Sequence, residues 1–103
     1  MALPTLTVAQ RDEALRKAQA ARLARKQLLT AIAAGDQTIP AVLDRAKTDT
    51  VIGRTKVADL LKSLPGWGPA KVSALMEQTG IVSSRRAAGL GERQRRALCD
   101  ALT

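Results

Sequence analysis

Between Val8 and Ala34 the chain contains neither proline nor glycine, and Ala14, Ala18, Ala21, Leu28 and Ile32 recur at helical spacings. That recurrence draws one apolar stripe along a helix. Ala, Leu, Lys, Arg and Gln dominate the stretch, and all of them favour helix. Thr7 is placed as N-cap, with Gln10 three residues on to complete a capping box. Gly35 ends the helix in the position a terminal glycine commonly takes. The stripe is mostly alanine as far as Ala21, so the first half of this helix has little to bury and is expected to project from the body.

Shorter helical patterns follow. In "QTIPAVLDRAKTD" Thr38 serves as N-cap and Pro40 falls in the first turn, where a missing N–H costs nothing. The helix expected from about Ile39 to Lys47 presents Ile39, Val42, Leu43 and Ala46 inward. "IGRTKVADLLKSL" starts a third helix near Thr55, with Val57, Leu60, Leu61 and Leu64 as its buried face. A fourth begins at Pro69, with Val72, Leu75 and Met76 at helical spacing and Gly80 as terminator. A connector then leads to a fifth helix from about Gly91 to Ala101, burying Leu98 and Leu102, with Leu90 just before it. No window alternates at period two long enough to indicate a strand. The expected fold is all-α: a long basic N-terminal helix over 1–35, then a compact helical domain over 36–103.

Charge adds a partner to this picture. The 103 residues carry 17 Lys and Arg against 9 Asp and Glu, a net charge of +8. Six cations lie in residues 1–34 and six in 64–103, around a nearly neutral middle. Arg22, Arg25 and Lys26 fall at i, i+3 and i+4 and share one side of the first helix. From Arg16 to Ala34 there is no acid, although such faces normally mix signs. An anionic partner is therefore expected.

Composition narrows the chemistry. There is one Trp, with no Phe, Tyr or His, so the core must be aliphatic and there are no aromatic platforms for single-stranded bases. Cys99 is alone, which forbids an internal disulfide and fits a reducing compartment. The opening "MALPTLTVAQRDEAL" lacks a basic region followed by an apolar run, and no stretch of about twenty apolar residues follows. A soluble cytoplasmic protein is expected, with no membrane contact. With no histidine and no metal-ligand cluster, neither an enzyme nor a cofactor is expected.

The most constrained stretch is "SLPGWGPAKVSALMEQTG", where Pro65, Gly66, Trp67, Gly68 and Pro69 join two helices. A helix N-terminus leaves N–H groups unpaired and carries partial positive charge. Glycines ahead of it let a phosphate approach the backbone, and Lys71 adds a formal charge. A tight turn with no ligand is the alternative. The spacing is not that of a Walker A loop. Arg85 and Arg86 then lead into Gly89-Leu90-Gly91, a second glycine turn opening a helix, followed by Arg93. Two such turns form a repeated phosphate-gripping pattern.

"MALPTLT", "AARLARKQL", "VIGRTKVADLLKSLPGWGPAKV" and "SSRRAAGLGERQRRAL" together resemble the actinobacterial integration host factor family, over nearly the whole chain. The resemblance implies a helix-two-turns-helix module behind a long N-terminal helix. It implies a monomeric, nucleoid-associated protein that binds double-stranded DNA through backbone and minor groove with little sequence preference. Chromosome compaction, DNA bending and assistance to a phage integrase on shared DNA come with it. Carried over, the DNA-binding positions are Leu64 to Lys71, Arg85, Arg86 and Gly89 to Gly91. Family members often have a basic residue in place of Pro69, an Arg in place of Ala88 and a smaller apolar residue in place of Trp67. The glycosylases that share the module use an N-terminal Pro and Glu, where Ala2 and Leu3 stand here. An RNA-binding or ribosome-associated helical protein is the competing reading, because a small-subunit ribosomal protein has a similar turn.

Overall fold

A computed structural model of the chain describes residues 7–102. The opening MALPTL, which carries part of the family resemblance and includes Ala2 and Leu3, lies outside the described residues. Helix α1 runs Val8–Ala33. The Gln10 N–H donates to Thr7 Oγ1 at 3.1 Å and the Thr7 N–H donates to Gln10 Oε1 at 2.9 Å, the reciprocal capping box. At the other end Gly35 takes φ 81°, a left-handed turn suited to glycine.

Helix α2 spans Ile39–Arg45, capped by Thr38, whose hydroxyl accepts from the Ala41 N–H at 3.3 Å. It ends two residues before Lys47, because Ala46 to Thr48 turn away toward the next element. The third helix expected from near Thr55 is instead two short ones, α3 Thr50–Arg54 and α4 Val57–Lys62. Asp49 caps α3, its Oδ1 accepting from Val51 N–H at 3.0 Å and Ile52 N–H at 3.2 Å. The break at Thr55 and Lys56 has a long-range cause. Ala87 N–H donates to Thr55 O at 2.9 Å and Val57 N–H donates to Arg85 O at 3.0 Å. Those two bonds form an isolated antiparallel bridge between Lys56 and Arg86, which requires extended backbone on both sides.

Helix α5 covers Pro69–Gln78 and α6 covers Glu92–Leu102, with a single 3₁₀ turn at Ala87–Gly89 between them. No strand forms among the described residues. The architecture is all-helical: a long N-terminal helix followed by a small body with the helix-two-turns-helix arrangement.

The core is aliphatic. Ile32, Val42, Val57, Leu60, Leu61, Val72 and Leu98 are among its most deeply buried side chains. Leu64, Leu90 and Leu102, expected inside, are half-buried at its edge, while Ile52, Ile81 and Ala87 complete it. Gly53 sits where α3 meets α2 and the 3₁₀ turn. A Cβ there would lie 2.8 Å from the Ala46 carbonyl oxygen and 3.1 Å from Ala88 Cβ.

Only the second half of α1 joins this core, through Leu28 and Ile32. From Val8 to Lys17 every residue is exposed. A compact chain of this length would have a radius of gyration near 13 Å; the observed value is 16.2 Å, with extents of 49 × 33 × 25 Å. The alanine-rich half of the helix stands clear of the body.

Candidate nucleic-acid interface

The first turn is built by backbone geometry. α4 closes at Ser63, and Trp67 N–H donates to Leu64 O at 3.1 Å. Gly66 takes φ 79°, the left-handed conformation a side chain would disfavour. Gly68 is the N-cap of α5 with φ −85°, and no side chain caps the helix; Pro69 follows in its first turn. Gly68, Pro69, Ala70 and Lys71 are all exposed, so the positive end of α5 faces solvent. Trp67 is half-buried against the core, and Lys71 Nζ lies 4.2 Å from the centroid of its ring. The indole thus anchors the turn and holds the ammonium beside the helix end, a cation–π contact of about 0.5–1 kcal/mol at an exposed site.

The second turn works differently from its sequence pattern. Neither Gly89 nor Gly91 takes positive φ. At Gly89 the gain is space: a Cβ would lie 3.2 Å from Arg85 Cδ, so the missing side chain lets Arg85 lie across the turn. The Gly91 N–H is occupied, donating to Gln94 Oε1 at 3.1 Å, while Gln94 Nε2 donates to Gly80 O at 2.9 Å. Glu92 places a carboxylate in the first turn of α6. One N–H of this helix start is thus taken and an acid stands beside it, so the formal positive charge near this turn is that of its arginines.

Those arginines are held by the body. Arg85 and Arg86 are exposed, but their backbone is laced to the α3–α4 junction by the bridge described above. The Arg86 guanidinium also donates to the Arg54 carbonyl oxygen. Arg85, Arg86 and Gly89 line one open groove of about 550 Å³ together with Gly53, Ser84 and Ala88. Lys56, exposed and paired with Arg86 across the bridge, and exposed Arg54, whose carbonyl accepts from Arg86, lie on the segment beside this groove. Sequence reasoning placed them in the neutral middle, because no local signal reveals a pairing 30 residues away. Leu90 is half-buried and packs on the core. Arg93 is exposed on α6, whereas its neighbour Arg95 forms an ion pair with Asp44 of α2.

On α1, Arg22 and Lys26 are exposed and Arg25 is half-buried. The Arg25 Nε is shielded from solvent without a hydrogen-bonding partner among the described residues. The structure therefore gathers Arg85, Arg86 and Gly89 in one groove and Trp67 with Lys71 in one turn, and carries Arg22, Arg25 and Lys26 on a third element.

Residues 32–102 match the family model described as S13-like H2TH domain. Over 100 residues the chain is 46% identical to the integration host factor of Mycolicibacterium smegmatis, a match covering 97% of this chain and 95% of that protein. Against the integration host factor of Mycobacterium tuberculosis the identity is 45%, with the same coverage. The chain belongs to the integration host factor family. The Streptomyces coelicolor integration host factor is 43% identical over 94 residues, 91% of this chain and 88% of that protein. A solved structure of sIHF bound to an 8-base-pair palindromic DNA superposes with a TM-score of 0.83 at 35% identity, covering 85% of this chain and 99% of that one.

Proposed function

We propose that this chain is a nucleoid-associated protein that binds double-stranded DNA with little sequence preference and bends or compacts it. The observation that carries the reading is the arginine pair Arg85–Arg86, fixed by backbone hydrogen bonds to the α3–α4 junction. Fixed arginines lose less freedom on binding than arginines on a mobile loop, and they suit phosphates or a narrow minor groove. The Gly66–Lys71 turn grips a second backbone phosphate through the α5 N-terminus and Lys71.

Within residues 1–35 a basic arm forms a third contact, on which Arg22, Arg25 and Lys26 meet phosphates, while residues 36–103, with Leu28 and Ile32 of α1 packed into their core, form the DNA-binding body. The chain is a monomer in dilute solution and resides in the cytoplasm on the nucleoid. A phage integrase would be a partner through shared, bent DNA. No described helix is long and apolar enough to cross a membrane.

An electrophoretic titration with duplex DNA, single-stranded DNA and structured RNA side by side tests the reading. Duplex DNA is expected to bind tightest, with scrambled sequences nearly equivalent. Preferential binding of structured RNA would replace this function with the ribosome-associated one.

A further inference from the structure

The face of α1 turned away from the body is not uniformly basic. Leu28 and Ile32 mark the buried side of the helix; Val8, Leu15 and Leu23 stand on the opposite side, 73%, 58% and 56% exposed. Asp12, Gln19, Lys26 and Thr30 share that outer strip and are also exposed. At 100° per residue the whole strip fits within about 80° of arc. Its spacing has an 11-residue repeat: Val8 to Gln19 to Thr30, Asp12 to Leu23, Leu15 to Lys26. Such a repeat, about 3.67 residues per turn, stays close to the axis of one helix and winds slightly right-handed, opposite to the left-handed supercoil of a heptad seam.

The strip is also symmetric about Gln19. Leu15 and Leu23 lie four residues either side of it, Asp12 and Lys26 seven, Val8 and Thr30 eleven. We infer that a second copy of this chain docks antiparallel along the outer face of α1, with Gln19 on the two-fold axis. In that register Leu15 packs on Leu23 of the other copy, Asp12 meets its Lys26, and Val8 covers its Thr30. Every pairing occurs twice, as a two-fold interface requires. The aliphatic side chains and the acid gain nothing from a phosphate, whereas each finds its complement in an antiparallel copy. Lys26 meets Asp12 in the pair and a phosphate only when the copies are apart, while Arg11, Arg16 and Arg22 fall on the flanks of the strip and keep their reach to DNA in both states.

The strip runs about 33 Å at 1.5 Å per residue but offers three aliphatic side chains per copy. That is less than stable interfaces of roughly 1,200–2,000 Å² provide, so the pair is weak and driven by concentration. Copies bound side by side on DNA reach effective concentrations on the order of millimolar, where such a pair forms and bridges them.

Oxidative cross-linking of the full chain without DNA tests the register independently of any DNA binding. In a Cys99→Ser background, Gln19→Cys is expected to form disulfide-linked dimer several-fold faster than Leu15→Cys alone, because the axis brings position 19, and not position 15, within disulfide reach of its own copy. An equimolar mixture of Leu15→Cys and Leu23→Cys chains should match Gln19→Cys. Sedimentation should show mass rising with concentration toward a dimer. Leu15→Gln with Leu23→Gln, both exposed, should abolish the rise with helix content unchanged; Asp12→Lys should weaken it and added Lys26→Asp restore it. Equal cross-linking at all positions, or a monomeric mass up to millimolar protein, overturns the inference. So does a Leu15→Gln, Leu23→Gln chain that loses DNA affinity while Gln19→Cys never cross-links, since the strip would then face DNA.

Discussion

Arg85 and Arg86 are adjacent in sequence, yet their roles divide. Arg86 reaches back to the Arg54 carbonyl and closes the junction, while Arg85 lies across the Gly89 turn. Replacing both with alanine should weaken duplex binding several-fold or more with little change in helix content, as read by titration beside circular dichroism. Unchanged affinity in the folded double variant would remove this groove from the interface. Gly53 gives the stability counterpart. Its Cβ position lies 2.8 Å from the Ala46 carbonyl oxygen, closer than real side chains approach a backbone atom. Gly53→Ala must push α3 away from α2, so it should cost about 1–3 kcal/mol, as overpacking does, and lower the melting temperature by several degrees. The arginine pair was legible in the sequence as a cluster beside glycines. The need for glycine at residue 53 was not, because Ala46 and Ala88 reach it through tertiary packing.

Among the elements, those with strong caps were the most legible. α1, α2 and α5 begin where Thr7, Thr38 and Pro69 place them, since capping is a local property of a few residues. α3 was missed because five residues with a glycine among them show no periodicity, and the Asp49 cap was its one local mark. The gap between α3 and α4, and the 3₁₀ turn at Ala87–Gly89, depend on hydrogen bonds between segments some thirty residues apart. Local pattern contains no trace of those bonds. The C-terminal half of α1 belongs to the core, and this bears on truncation. Among the described residues, removing residues 1–20 takes away only exposed or half-buried positions, and it should leave a cooperatively folding body. Removing residues 1–34 also deletes Leu28 and Ile32, and losing a buried Leu or Ile side chain costs about 2–5 kcal/mol each. The sum is comparable to the about 5–15 kcal/mol that holds a domain together. Thermal unfolding followed by circular dichroism should show a clear transition for the shorter deletion and little or none for the longer.

For the whole molecule the governing quantity is where its excess positive charge can reach. Arg95 is engaged with Asp44 and Lys17 with Glu13, so not every cation is free for an anionic partner. With roughly four to eight phosphate contacts left, log K against log[salt] should have a slope of about −4 to −7. A slope near zero would remove electrostatics as the basis of binding. The geometry of that charge sets what binding does to DNA. One cationic group stands on the projecting helix and another on the body around Arg54, Lys56, Arg85 and Arg86. If both engage one duplex it must curve between them. Smooth bending of 20–30 base pairs costs on the order of 1–6 kcal/mol, which the added phosphate contacts have to offset. The chain lacking residues 1–20 keeps the body's groove and turn but loses Arg11, Arg16 and Lys17. It should therefore bind duplex DNA more weakly, with a shallower salt slope, and compact or bend it less at equal occupancy. Atomic force imaging of long duplexes, with occupancy matched by titration, reads the difference directly. Equal compaction by the shortened, folded chain would mean that the body alone shapes the DNA and that the arm adds only affinity.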